Sequence, residues 1–131
     1  MTNRTVYQGI VVKGRGLGVP AMSRPATERA IAKMTGLKIV PGTLNVRLPK
    51  AFTGRLPLYV SVEELGGLPG VTDRKGLKIG RVRIEGRFEG FVFQGDEADF
   101  SPFDVELISD RKLRQELNLS DGDSIKFELI E

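Results

Sequence analysis

Two side chains near the end of the first third of the chain carry oxygen chemistry on one side of a short strand. In Pro41-Gly42-Thr43-Leu44-Asn45-Val46 the Pro-Gly pair predicts a tight turn, after which Leu44, Val46 and Leu48 alternate with Thr43, Asn45 and Arg47. The alternation sets the Thr43 hydroxyl and the Asn45 carboxamide on one face. Neutral oxygen donors so spaced suit a hard cation such as Mg2+, which keeps several waters and shares itself with phosphate groups. The same residue types also cap turns at strand starts, so the local pattern alone serves either purpose.

Two further stretches bear on anions. Gly14-Arg15-Gly16-Leu17-Gly18-Val19-Pro20 has glycine at every second position, which lets backbone N–H groups approach a phosphate or a base with no Cβ between them. It lacks the Gly-Lys-Ser/Thr ending of a Walker A loop and the spacing of a dinucleotide fingerprint, and a flexible connection is its simpler explanation. Toward the C-terminus, Arg111, Lys112 and Arg114 crowd the start of a predicted helix, Arg111 to Leu117, with Ser109 or Asp110 as its cap. Positive charge there opposes the helix dipole and makes sense beside a bound anion; a solvated basic face is the alternative.

Composition narrows the chemistry further. The 131 residues include no cysteine and no histidine, which removes thiol nucleophiles, disulfides, the usual zinc ligands and the commonest general base. Any catalysis must rest on carboxylates, hydroxyls, amides, Lys and Arg, with or without a metal. Net charge is +3, from 20 Lys+Arg against 17 Asp+Glu, compatible with an anionic ligand but too small to demand nucleic acid. No apolar run of membrane-spanning length and no leader-type h-region occur, so a cytoplasmic protein without a membrane span is expected.

The elements that must position these residues are mostly strands. Thr5 to Lys13 is rich in β-branched residues, with Gly9 read as a bulge; Leu56 to Val62, a hairpin over Lys78–Ile84 and Phe88–Phe93 turning at Glu85-Gly86, Phe103 to Ile108, and Ser124 to Ile130 follow. In Phe103 to Ile108 the alternation sets Phe103, Val105 and Leu107 inward and Glu106 on the less buried face. Ala26 to Thr35 has helical spacing, with Pro25 at its start and Gly36 as its cap. Strands that do not alternate with helices predict a mainly β fold, a small closed barrel in one domain spanning residues 1–131.

The strand and glycine loop VVKGRGLG, the helix ending at Gly36, the PGTLNV motif and the C-terminal SDRKLRQELNLSDGDSIKFEL together resemble the archaeal-type CTP-dependent riboflavin kinases. That resemblance covers most of the chain, and PGTLNV is its most specific piece. It implies a six-stranded cradle-loop barrel, related to the RIFT barrels, with one or two short helices. It implies Mg2+ held by Thr43 and Asn45, and a cytidine nucleotide held by Arg15, Gly16, Leu17, Gly18, Val19 and Pro20 together with Arg111, Lys112, Leu113 and Arg114. Glu106 falls where the family has the carboxylate that meets the ribityl end of riboflavin. Where the family has a Pro-x-x-Thr-His-Tyr-like segment, this chain reads Gly95-Asp96-Glu97-Ala98-Asp99-Phe100; Ser101 is then the candidate hydroxyl, and Lys13, Arg15 or Arg24 the candidate cation.

The expected reaction is transfer of the CTP γ-phosphoryl group to the riboflavin 5′-hydroxyl by a monomer, without a nucleic-acid or membrane partner. Phe91, Phe93, Phe100 and Phe103 are candidates for an apolar slot around the flavin ring, although aromatics are more often plain core. A barrel that binds nucleotide or flavin without catalysis, or a DNA-binding β-barrel regulator, are the alternatives.

Overall fold

A computed structural model describes residues 4–13, 29, 32–33, 36, 38, 44–61, 76–95 and 102–130. The strands are β1 (Arg4–Val12), β2 (Leu44–Arg47), β3 (Leu58–Ser61), β4 (Gly76–Ile84), β5 (Phe88–Gly95), β6 (Asp104–Ser109) and β7 (Ser124–Ile130). All their pairings are antiparallel. The order β4-β5-β6-β2-β1-β7 returns to β4 through a β4–β7 pairing, so six strands close a barrel as expected, and β3 hangs on the first half of β4. Closure removes the open edges that six short strands would otherwise expose.

The period of two in each strand decides the faces. The rows Val11–Val46–Val105 and Leu44–Leu107–Val92 point inward, joined by Ile125, Phe127 and Leu129 of β7, and all of them are buried. Tyr7 stacks between Phe52 and Phe127, with centroids 4.8 and 5.3 Å away, and so anchors β1 to this core. Ile79, Phe91, Phe93 and Ile108 are also buried, but they lie on the outward face and outside the central cluster.

Gly9 is not a bulge. Pairing runs without interruption from Arg4↔Ile130 to Ile10↔Ser124, and Gly9 sits opposite Ile125. Its role is close approach: a Cβ there would lie 2.6 Å from the Arg47 carbonyl oxygen and 2.7 Å from Val46 Cγ1. Gly9→Ala is therefore expected to cost about 2–3 kcal/mol, read as a lower midpoint in urea at unchanged m-value, because backbone has to move.

The β4–β5 hairpin turns as expected at Glu85-Gly86, both at positive φ (53° and 67°), closed by the Arg87 N–H on the Ile84 carbonyl at 3.0 Å. Glutamate is unusual in that conformation. Here its carboxylate accepts the Lys126 backbone N–H at 2.7 Å and its own N–H donates to the Lys126 carbonyl at 2.9 Å. The side chain thus continues the β4–β7 seam one step beyond the last strand pair.

Two helical regions occur among the described residues. Arg29, Ala32 and Lys33 are helical and the Gly36 N–H donates to the Ala32 carbonyl at 2.8 Å, in line with the predicted cap. The C-terminal helix, α1 (Leu113–Glu116), is shorter than its pattern predicts and is preceded by Lys112 with no side-chain cap. Ser109 does not cap it, because this residue ends β6 and its hydroxyl donates to the Glu89 carbonyl at 2.7 Å. None of the helices is long and apolar enough to cross a membrane among the described residues.

Candidate active site

Three neighbouring strands, β1, β2 and β6, bring distant motifs to one end of the barrel. β1 leaves toward the glycine loop at that end, β2 enters there from Thr43, and β6 exits there into Ser109–Arg114. The Gly122 N–H on the Val11 carbonyl (2.7 Å) and the Val11 N–H on the Asp123 carbonyl (2.8 Å) fasten the exit of β1 to the turn ahead of β7. The glycine loop, Thr43 and Ser101 lie outside the described residues, as do Arg24 and Phe100.

One outward row crosses this end. Val12 is opposite Asn45, Asn45 is opposite Glu106, and Glu106 is opposite Phe93. Asn45 and Glu106 are both half-buried, and directly opposed residues on adjacent strands keep their Cβ atoms about 4.5–5.5 Å apart. A carboxamide oxygen and a carboxylate that are 61 positions apart in sequence (106 − 45) are therefore side-by-side neighbours in space. Among the described residues no group of three or more Asp, Glu, His or Cys is disposed to hold a metal. One amide oxygen with an adjacent carboxylate fits an ion that retains most of its waters and takes further oxygens from a phosphate, as Mg2+ does.

The chain matches the family model for CTP-dependent riboflavin kinases, described as domain of unknown function DUF120, over residues 11–129. It belongs to that family. It is 33% identical over 128 residues to a riboflavin kinase of Pyrobaculum aerophilum, covering 93% of this chain and 59% of the relative. A riboflavin kinase of Methanocella arvoryzae is 32% identical over 125 residues, covering 95% of this chain and 56% of the relative. A riboflavin kinase of Aeropyrum pernix is 31% identical over 130 residues, covering 96% of both chains. The chain thus spans somewhat over half the length of the first two relatives and nearly all of the third.

Within this riboflavin kinase family framework the basic segment divides into different roles. Arg114 Nη2 meets Asp121 Oδ1 at 2.6 Å, which ties α1 to the turn that holds β1. Arg111 lies 3.9 Å from Glu116 and over the Phe88 ring, 5.6 Å from its centroid, on which Arg87 also rests at 4.8 Å. Lys112, exposed just ahead of α1, makes no ion pair among the described residues. Leu113 is buried in the core. Arg111 and Lys112 precede α1 and do not occupy its first turn, so the predicted conflict with a helix dipole does not arise for them.

The aromatic candidates also divide. Phe91 and Phe93 are each 2% exposed, so their faces are already covered and they behave as packed hydrophobes. Phe103 is 44% exposed, contrary to the inward position its alternation predicts, because it precedes β6 at the far rim of the barrel, where its carbonyl accepts the Leu48 N–H at 2.8 Å.

Sequence reasoning missed one pair altogether. Arg47 is opposite Asp104, one step along the outward face from Asn45 and Glu106, with Nε–Oδ1 at 2.9 Å and Nη2–Oδ2 at 3.5 Å. Asp104, first by its hydrogen bond and then by its charge, holds the Arg47 guanidinium above its ordinary range. The signal was present as a spacing of two: Arg47 follows Asn45 and Asp104 precedes Glu106 by the same interval.

Proposed function

We propose that this protein is a CTP-dependent riboflavin kinase that transfers the γ-phosphoryl group of CTP to the 5′-hydroxyl of riboflavin, giving FMN and CDP. The observation that carries the reading is the register that sets Asn45 beside Glu106 on β2 and β6, next to the barrel end where β1 finishes, β2 begins and β6 exits toward the basic segment. Phosphoryl transfer asks little covalent chemistry of a protein; in-line positioning and neutralisation of phosphate charge do most of the work. A chain without cysteine and histidine is equipped for it.

Asn45, with Thr43, would hold Mg2+, and when bound the ion offsets negative charge on the nucleotide phosphates. Glu106 accepts the hydrogen bond of the riboflavin 5′-hydroxyl and orients its oxygen in line with the γ-phosphorus. As the new O–P bond forms and the bond to the β-phosphate oxygen breaks, the hydroxyl proton passes to the Glu106 carboxylate and CDP leaves. Arg15–Val19 supply backbone N–H groups to the nucleotide, with Pro20 shaping the end of that loop, Lys112 an exposed cation, and Ser101 a hydroxyl toward the flavin. Arg114 serves the same site by steadying the turn beneath β1.

Incubation with riboflavin and each of the four nucleoside triphosphates, with and without Mg2+, tests this directly. FMN is expected with CTP and Mg2+. Riboflavin that quenches on titration but is never phosphorylated by any of the four would replace the kinase reading with a binding barrel.

A further inference from the structure

We infer that Arg87, at the tip of the β4–β5 hairpin, forms with Arg111 and Lys112 one anion-binding corner that takes the phosphate groups of the nucleoside triphosphate; the inference rests on the kinase reading above. Gly90 is opposite Ser109, and the Ser109 hydroxyl donates to the Glu89 carbonyl at 2.7 Å, so the start of β5 and the exit of β6 run side by side. Counting outward from that pair, Phe88 and Arg111 each stand two residues away, and Arg87 and Lys112 three. Phe88 joins the two segments. The Arg87 guanidinium carbon lies 4.8 Å, and that of Arg111 5.6 Å, from the centroid of its half-buried ring.

The ring attracts both cations, but each such attraction is modest at an exposed site, and the two guanidiniums repel one another. They are no further than about 10 Å apart, a distance over which ~0.1 M salt screens only in part. The carboxylates of the same corner do not offset them. Asp110 Oδ1 lies 3.2 Å from the Ser109 hydroxyl oxygen, Glu85 accepts the Lys126 backbone N–H, Asp121 holds Arg114, and Glu89 is opposite Arg83. Glu116 reaches Arg111 only at 3.9 Å, with both side chains exposed, a contact of little strength. Neither Arg87 nor Lys112 has an ion-pair partner among the described residues. Three cations with one weak carboxylate contact between them suit a polyanion, and planar guanidiniums match phosphate oxygens in pairs. The hairpin tip is also held in place: Glu85 sits at φ 53°, kept there by two bonds to the Lys126 backbone, which fixes where Arg87 starts two residues later.

The test measures binding of inorganic triphosphate, CTP and cytidine by calorimetric titration, without riboflavin, to the whole chain and to Arg87→Gln, Arg111→Gln and the double variant. Arg87 is exposed, so its substitution should leave the thermal midpoint in place. Arg87→Gln is expected to weaken triphosphate and CTP about 5- to 10-fold, less so as NaCl is raised, because the contact is one of charge. Cytidine, which carries no phosphate, should bind variant and wild type alike. Arg87→Lys, which keeps the charge, should recover part of the loss. The double variant should lose less than the product of the two single losses, since groups that share one anion couple. In turnover, KM for CTP should rise by more than kcat falls. Wild-type protein that does not bind triphosphate, an Arg87→Gln variant with unchanged triphosphate affinity, an equal loss for cytidine, or single losses that simply multiply in the double variant overturns the shared corner. Wild-type protein that binds triphosphate with this dependence on Arg87 yet makes no FMN overturns the kinase reading instead and leaves the corner standing.

Discussion

Asn45→Ala is expected to lower Mg2+-dependent kcat/KM by about 100-fold or more, a loss of roughly 2.7 kcal/mol of transition-state stabilisation, while the fold is retained. The residue is half-buried on the outward face, with its backbone held by β1 on one side and β6 on the other, so truncation opens no hole in the core. Its thermal midpoint should stay within about 2–4 °C of wild type, as for other substitutions outside a core. Raising Mg2+ should recover part of the activity, because the second donor, Thr43, is still in the chain. A variant with full turnover and unchanged metal dependence would show that Asn45 is only the start of a strand.

Glu106→Gln has the second large expected effect. The change keeps shape and removes the charge and the proton-accepting oxygen pair, so kcat should fall by about 100- to 10,000-fold, the range for a general base. CTP affinity, measured by titration in the absence of riboflavin, should move by less than about threefold, because the carboxylate addresses the acceptor alcohol. Parallel loss of binding and turnover would make Glu106 a structural member of the barrel wall. Phe93 on β5 and Asn45 on β2 flank Glu106 across the sheet, and the substitution keeps side-chain shape and size, so it tests chemistry more than packing.

The strands were legible because their burial follows a period of two. Leu44, Val46 and Leu48, and Ile125, Phe127 and Leu129, announce an inner face, and each is buried there. Glu85-Gly86 announced its turn through the glycine. Three readings failed for a common reason: local pattern reports which face a residue takes, not what is beside it. Gly9 reads as a bulge until β2 is seen pressing on it, Phe103 reads as core until the barrel's rim is placed, and Ser109 reads as a helix cap until the Glu89 carbonyl takes its hydroxyl.

By itself, then, the sequence determined the inventory: oxygen donors at Thr43 and Asn45, a carboxylate at Glu106, cations around Lys112, and no cysteine or histidine to compete with them. It also determined the resemblance that the family match over residues 11–129 bears out. Only the tertiary structure decided adjacency. Which strands neighbour one another depends on barrel closure, and closure is a property of pairings between residues far apart in the chain, invisible to any local period. That is why Asn45 beside Glu106, and Arg47 held by Asp104 one step away, emerge from the register alone.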